Sequence, residues 1–332
     1  MRFVKIAFAV VIMGVFVFGN VQAREDGQSG GEGSSTAIVY TFFLNIAVEP
    51  FMFPLIGFVN IHRGNHTLPQ IGFVNWNTGN FSTQQLGFVN TIGGDLNGAQ
   101  AGFVNTAAGN TSGAQIGFVN TGASFSGAQV GFVNTAVRES RGLQLGFVNT
   151  AAEALSGTQI GFINFVDNIE DGIPIGFISI VRRGGFMAVE YSFSEFSIFN
   201  VGLKSGVERF YTTVFVSYNA VDEFATRHFA LGVGIGTLIP ITDLFFLSPE
   251  LNNMSAFING DNRQYLSFVP YFGFNLNNRF SIAIAPSVTW ARGNDDSPLQ
   301  SPSFSIAEHT IDRRNSIVFG ARAALRFRFF MY

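Results

Sequence analysis

At 332 residues the chain is long enough for one large domain or two ordinary ones, and length alone decides little. Its 40 Phe and 38 Gly with only 12% charged residues depart from a soluble globular composition, in which about a quarter of residues are charged, so there is too little charge to cover a conventional surface. A net charge of -3 leaves no basic footprint and excludes nucleic acid as an expected partner, while the lack of Cys excludes disulfides, thiolate catalysis, thiolate metal sites and a lipid-modified cysteine anchor.

Residues 1–23 carry the marks of a cleaved signal peptide. Arg2 and Lys5 precede the apolar run from Ile6 to Phe18, and Val21-Gln22-Ala23 is a small-residue cleavage site. Residues 24–38 begin with REDGQSGGEGSS and predict a flexible leader. After residue 23 no apolar run reaches the roughly 20 residues of a membrane-spanning helix, which points to β-strands as the use of this apolar material.

Residues 39–182 form a repeat region. The glycine of a G-F-x-N unit recurs at Gly57, Gly72, Gly87, Gly102, Gly117, Gly131, Gly146, Gly161 and Gly176, in steps of fifteen residues with a single step of fourteen. The fuller unit is G-x-Q-x-G-F-V-N-T, and its structural positions include Gly102, Phe103 and Asn105, then Gln115, Gly117, Phe118 and Asn120. They continue as Gln129, Gly131, Phe132 and Asn134, then Gln144, Gly146, Phe147 and Asn149. The ends decay, with Leu55 in the Gln position of the first copy and Pro174 and Ser179 in the last, as terminal units facing something other than a repeat should. Each unit splits into two short strand candidates, such as Phe103 to Ala107 and Ser112 to Ile116, around turn material.

A meander of single antiparallel strands would alternate its turns between two ends and show a two-unit period. The strict one-unit period favours a β-solenoid in which every copy has the same surroundings, stacking Phe on Phe and Asn on Asn at about 4.8 Å. The rival arrangement makes the repeats barrel wall strands. Gly98 to Ala107 has the ten-residue length and the alternation for it, with Ala99, Ala101 and Phe103 on one face. Charge is scarce here, so the array is expected to touch membrane, barrel or another protein.

Residues 183–332 follow a different pattern. Ile317, Phe319, Ala321, Ala323, Leu325, Phe327 and Phe329 alternate with Gly320, Arg322, Arg326 and Arg328, as in a lipid-facing strand over a water-lined lumen. Similar alternation predicts strands over Met187 to Ser194, Phe196 to Lys204, Glu208 to Asn219, Arg227 to Ile239, Gln264 to Leu276 and Arg279 to Ala291, with a weaker one over Asp243 to Leu251. Leu247-Ser248-Pro249 and Asn252 to Asp261 read as turn or loop. The expectation is an antiparallel outer-membrane β-barrel of about eight to ten strands. The C-terminal strand, with Phe327, Phe329 and a final Tyr332, resembles the aromatic strand by which outer-membrane assembly machinery recognises barrels, although such strands more often end in Phe.

The repeat units, Gly98-Ala99-Gln100-Ala101-Gly102-Phe103-Val104-Asn105 among them, resemble those of the bacterial outer-membrane surface-repeat family, whose members carry tandem G-x-Q-x-G-[FL]-x-N units after a signal peptide. The similarity continues into Gly172 to Ile180 and Gly202 to Val207, so it covers most of the mature chain. The resemblance implies a surface or outer-membrane location. It implies no activity, cofactor or ligand, and no catalytic residue is carried over from it.

Chemistry-bearing motifs are sparse. His62 and His66 are four apart, but Asn60 to Pro69 reads as an exposed loop and no H-E-x-x-H surrounds them, so no metal site is expected. His228 and His309 lack a motif-placed Ser or Asp, and Asp222-Glu223 and Asp295-Asp296 read as solvated turns. Gly232-x-Gly234-x-Gly236 reads as small residues on an inward strand face. No catalytic residue, cofactor or metal is expected. The expected function is that of a non-enzymatic surface protein of the outer membrane, structural or interactive, with the barrel as anchor. Its partners would be outer-membrane lipid, the assembly machinery and a surface protein or glycan. A small-solute pore is the alternative if the repeats form wall strands, and a barrel enzyme such as a lipid hydrolase is a second.

Overall fold

The structure is a computed structural model that describes residues 39–219, 228–258, 261–293 and 304–329. The expected signal peptide and leader lie outside the described residues, as do Asp222-Glu223, Asp295-Asp296 and Tyr332. The described residues contain strands and no helix.

The repeats form a parallel β-solenoid, one copy per coil. In a representative coil, strand segments Thr111–Ile116 and Val119–Gly122 meet at the corner Gly117-Phe118. Each pairs in parallel with its equivalents: Asn105 faces Asn120, and Gln115 faces Gln100 and Gln129. The Phe118 N–H donates to Phe103 O at 3.0 Å, and the Phe132 N–H to Phe118 O at 3.0 Å, which excludes the wall-strand arrangement for the array. The corner glycine is dictated by close approach. A Cβ at Gly117 would stand 2.0 Å from Gly102 O, because successive corners nest directly on one another. The single fourteen-residue step is absorbed in the turn between Gly122 and Phe125, so every column keeps its register.

The open edges of the solenoid are both covered, as parallel edge strands require. At the start, Val39–Tyr40 pairs antiparallel with Leu44–Val48 of the first coil. At the end, Ile173–Arg183 lies against the outer face of the barrel, where the Ser179 N–H donates to Ser205 Oγ at 3.1 Å. Val207 closes the coil interior over Leu155, Val166 and Val181, with Phe210 packed beside it.

Eight antiparallel strands form the barrel: Phe186–Phe193, Phe199–Val207, Phe210–Asn219, His228–Gly236, Phe245–Ile258, Asp261–Asn275, Phe280–Arg292 and Asn315–Arg328. Each pairs with the next, and the first closes on the eighth with Val189 opposite Phe327. Beyond that seam the short strand Ala307–Thr310 pairs with residues 316–319. The seventh strand shows the polarity most plainly. Ser281, Ala283, Ala285, Ser287, Thr289 and Ala291 are buried inward, while Phe280, Ile282, Ile284, Val288 and Trp290 are exposed outward. Gly232 and Gly234 face inward as expected, beneath the Phe215 ring and the Asn252 amide.

Three sequence expectations are corrected. Leu247-Ser248-Pro249 and residues 252–258 are continuous strand, and strand resumes at Asp261. Proline does not break it, because Pro249 faces Pro270 and each lies where the ladder to its other neighbour lapses: between Gly236 opposite Glu250 and Ile239 opposite Leu247 in one case, and between Phe268 opposite Val288 and Phe272 opposite Ile284 in the other. Asn60 to Pro69 is not an exposed loop. Val59–Arg63 is a coil strand, and His66 bridges to Phe81. Nor do the inward arginines line a watery lumen, as the interior is packed.

Candidate functional site

Two sets of buried polar side chains form extended networks: the amide columns of the solenoid and an ion-paired cluster in the barrel. In the solenoid, each Asn Nδ2 donates to the Oδ1 of the next coil's Asn, as from Asn105 to Asn120 at 2.8 Å and from Asn134 to Asn149 at 2.9 Å. The second amide proton goes to the carbonyl ahead of the next corner glycine, as from Asn105 to Ile116 O at 2.9 Å. The Gln column runs the other way, with Gln115 donating back to Gln100 at 2.7 Å and Gln144 back to Gln129 at 2.7 Å. Opposed donor directions keep the two columns from adding their dipoles. The altered end units terminate the Asn ladder. The Thr41 N–H satisfies Asn45 Oδ1 at 2.8 Å at the start, and Asn164 donates to Ser179 Oγ at 3.2 Å at the end. On the surface, Phe103, Phe118, Phe132 and Phe147 stack with centroids 4.9 Å apart and planes within 3°.

His62 and His66 sit inside the early coils and stack on each other at 4.3 Å, fully or almost fully buried. Their columns require side chains of some kind: Asn77 succeeds His62, and Phe81 succeeds His66. Burial lowers the pKa of both rings, and for His66 the nearby His62 adds to the fall, bringing it to about 4. Both rings are therefore neutral core groups at pH 7. Among the described residues no group of three His, Asp or Glu is arranged to hold a metal ion.

The barrel interior is filled by a cluster drawn from six strands and the turn after the first. Arg326 is fully buried between Glu190, which its Nε contacts, and Glu250, whose Oε1 accepts from Arg326 Nη2 at 2.8 Å. Lys204 Nζ and the Tyr211 hydroxyl donate to the same Glu250 oxygen at 2.6 and 2.7 Å. Further along the eighth strand Arg322 clamps Glu195 through Nε at 3.1 Å and Nη2 at 2.9 Å, and also donates to Ser267 Oγ at 2.8 Å. Lys204, Arg322 and Arg326 thus balance Glu190, Glu195 and Glu250. Phe246 and Tyr271 pack around Arg326, with ring centroids 5.4 and 5.0 Å from its guanidinium carbon. Removing one member of such a buried pair leaves its partner uncompensated, at a cost of about 3–5 kcal/mol. The arrangement locks strands together, and its carboxylates are held by cations rather than presented at a cleft.

The sequence-chosen residues behave as two groups. The repeat positions from Gly102 to Asn149 are gathered into the Gly, Phe, Asn and Gln columns of one solenoid. Phe327 and Phe329 close the barrel seam, Phe327 opposite Val189 and Phe280, and Phe329 through its N–H to Met187 O at 3.0 Å. His309 lies on the short strand beside the eighth, and His228 begins the fourth. Sequence reasoning missed Glu190, Glu195, Lys204 and Glu250. The signal for three of them was present in the alternation of their strands, where a charge falls in an inward register. No protein-family model and no curated protein matches the chain. The fold defines it as an all-β protein in which a parallel solenoid is docked on a closed eight-stranded barrel.

Proposed function

We propose that the chain is an exported, non-enzymatic protein of a bacterial outer membrane, whose barrel anchors the solenoid at the cell surface for a structural or interaction role. The observation that carries this reading is the inverted polarity of the barrel: an outer wall of exposed Phe, Ile, Leu, Val and Trp around an interior of paired charges. Water does not tolerate an apolar belt of that extent, whereas acyl chains solvate it, and seven of the eight strands, at nine to fifteen residues, are long enough to cross. The signal-peptide pattern, the aromatic C-terminal strand and the likeness of the repeats to the surface-repeat family support the same address. Lipid and the barrel assembly machinery are the partners that follow from it, and a surface protein or glycan is the remaining candidate. A solute pore required the repeats to serve as wall strands; they stack as coils outside the wall, and side chains such as Tyr211, Phe246, Tyr271 and Arg326 fill the eight-stranded interior.

Fractionation and gel mobility test the proposal. The protein is expected in the outer-membrane fraction, released by detergent and not by salt or carbonate, and migrating faster unboiled than boiled. Recovery in a soluble fraction with unchanged mobility on boiling would overturn it.

A further inference from the structure

The solenoid has its own unbalanced surface. On either side of each corner glycine stand two outward columns. One is Phe, from Phe58 to Phe177; the other is aliphatic, as at Ile71, Leu86, Ile116 and Leu145. Phe118 is 45% exposed and neighbouring Phe repeat that value closely, while the aliphatic column varies from 54% exposed at Ile116 to half-buried at Ala101 and Val130. The rings stack at 4.8 to 5.0 Å, so the columns form one apolar ridge, which over nine coils runs for roughly 40 Å.

Charge is absent from that ridge and confined to the other edge of the flattened coil. From Gly57 to Arg183 every charged residue falls six to ten residues after its corner glycine, as do Arg63, Asp95, Arg138, Glu153, Asp167 and Arg182. Those positions lie at the far end of the strand that leaves the corner or in the turn that follows it, on the side of the coil away from the corner glycine. The solenoid is therefore amphipathic across its width, and it presents this asymmetry along its full length.

The ridge also meets the barrel at a particular place. Its last ring, Phe177, lines an apolar groove of about 250 Å³ together with Val214, Val233, Ile235, Leu251 and Leu266. These are outward residues of the barrel wall, so ridge and belt are one continuous apolar surface. The open edge of the last coil abuts that wall through Ser179 and Ser205, and the stack consequently leads away from the wall. With the barrel axis along the membrane normal, the ridge runs in the membrane plane.

We propose that the Phe and aliphatic columns are a keel embedded in the acyl layer of the membrane that holds the barrel, so that the solenoid is a lipid-bound wing with its charged edge toward water. The proposal rests on the membrane reading of the barrel and adds the partner of the array: lipid hydrocarbon. An amphipathic element with one wide apolar face and the opposite edge charged sits at the interface by the same balance that holds interfacial helices there.

The test uses the full mature chain, refolded into vesicles of phosphatidylethanolamine and phosphatidylglycerol. Because the chain has no Cys, a spin label placed on a single introduced cysteine reports one position. Labels at Ile116→Cys and Ala101→Cys report the keel, Ser112→Cys the opposite edge, and Ile284→Cys the barrel belt. Ala101 shows that a small side chain is accepted in the aliphatic column; protease resistance of the array verifies folding of the coils in each variant, and retained heat-modifiable mobility verifies the barrel. The keel labels are expected to match Ile284→Cys in collision with oxygen over a polar nickel chelate, several-fold above Ser112→Cys. A lipid-facing Ile284→Cys beside water-exposed keel labels would overturn the keel and leave the barrel reading standing. Water exposure at all four would overturn both. Dipolar broadening between keel labels, shielded from both reagents, would mean that a second copy of the chain covers the ridge, and would also overturn it.

Discussion

At the scale of single residues, what a position tolerates follows from its column. His66 occupies a core column next to Phe81, and its ring is neutral because burial opposes the charged form. Its folded pKa of about 4 lies below the unfolded value of about 6.5, so below pH 6.5 the unfolded chain binds a proton that the folded chain does not. Stability from this group is complete above that pH and is lost as pH falls toward 4, by up to about 3 kcal/mol in the first coils. His66→Phe, which repeats the occupant of the next coil, should remove much of this dependence. Hydrogen exchange of coil amides at pH 7 and pH 5 measures it, and an unchanged difference between the two pH values in the variant would refute the assignment to His66.

At the scale of the coil, glycines of one repeat are not equivalent. A Cβ at Gly117 would stand 2.0 Å from Gly102 O and 2.5 Å from Asn105 Nδ2, both held by the ladder. At Gly122 the tightest contact of the same atom would be the Thr111 hydroxyl at 3.0 Å, in a column that holds Ala107 and Ala136 in adjacent coils. Gly117→Ala is therefore expected to cost about 1–3 kcal/mol or more and to speed proteolysis of the array, while Gly122→Ala costs under about 1 kcal/mol. Denaturant midpoints of the array signal measure both, and equal costs would contradict the nested-corner account. The solenoid itself was legible because a one-unit period demands the same surroundings for every copy, which coils supply and antiparallel wall strands do not. The histidines were not, because Gly64 and Pro69 resemble turn material, whereas parallel pairing with the next coil determines which face of that segment is inside.

At the scale of the whole molecule, the barrel acts as the end cap of the solenoid. Val207 is buried over Val166, Val181 and Leu155, which would otherwise form an open apolar end. Val207→Asp places a carboxylate in that seal without a cation beside it, at a cost of several kcal/mol. The expected result is rapid protease cleavage in the last coils with heat-modifiable barrel mobility retained. An array as resistant as wild type would show that the coils do not depend on the barrel for closure.

The sequence by itself determined the repeat length, the stacking of like residues and the alternation of barrel strands, since each is a periodicity imposed locally by the backbone. Tertiary structure alone decided which charges neutralise one another. Arg322 finds Glu195 across 127 residues and Arg326 finds Glu190 across 136, and no spacing within a strand encodes a partner on another strand. It also decided that the last coil rests on the outer wall of the barrel, because that contact joins two surfaces whose patterns are each complete without it.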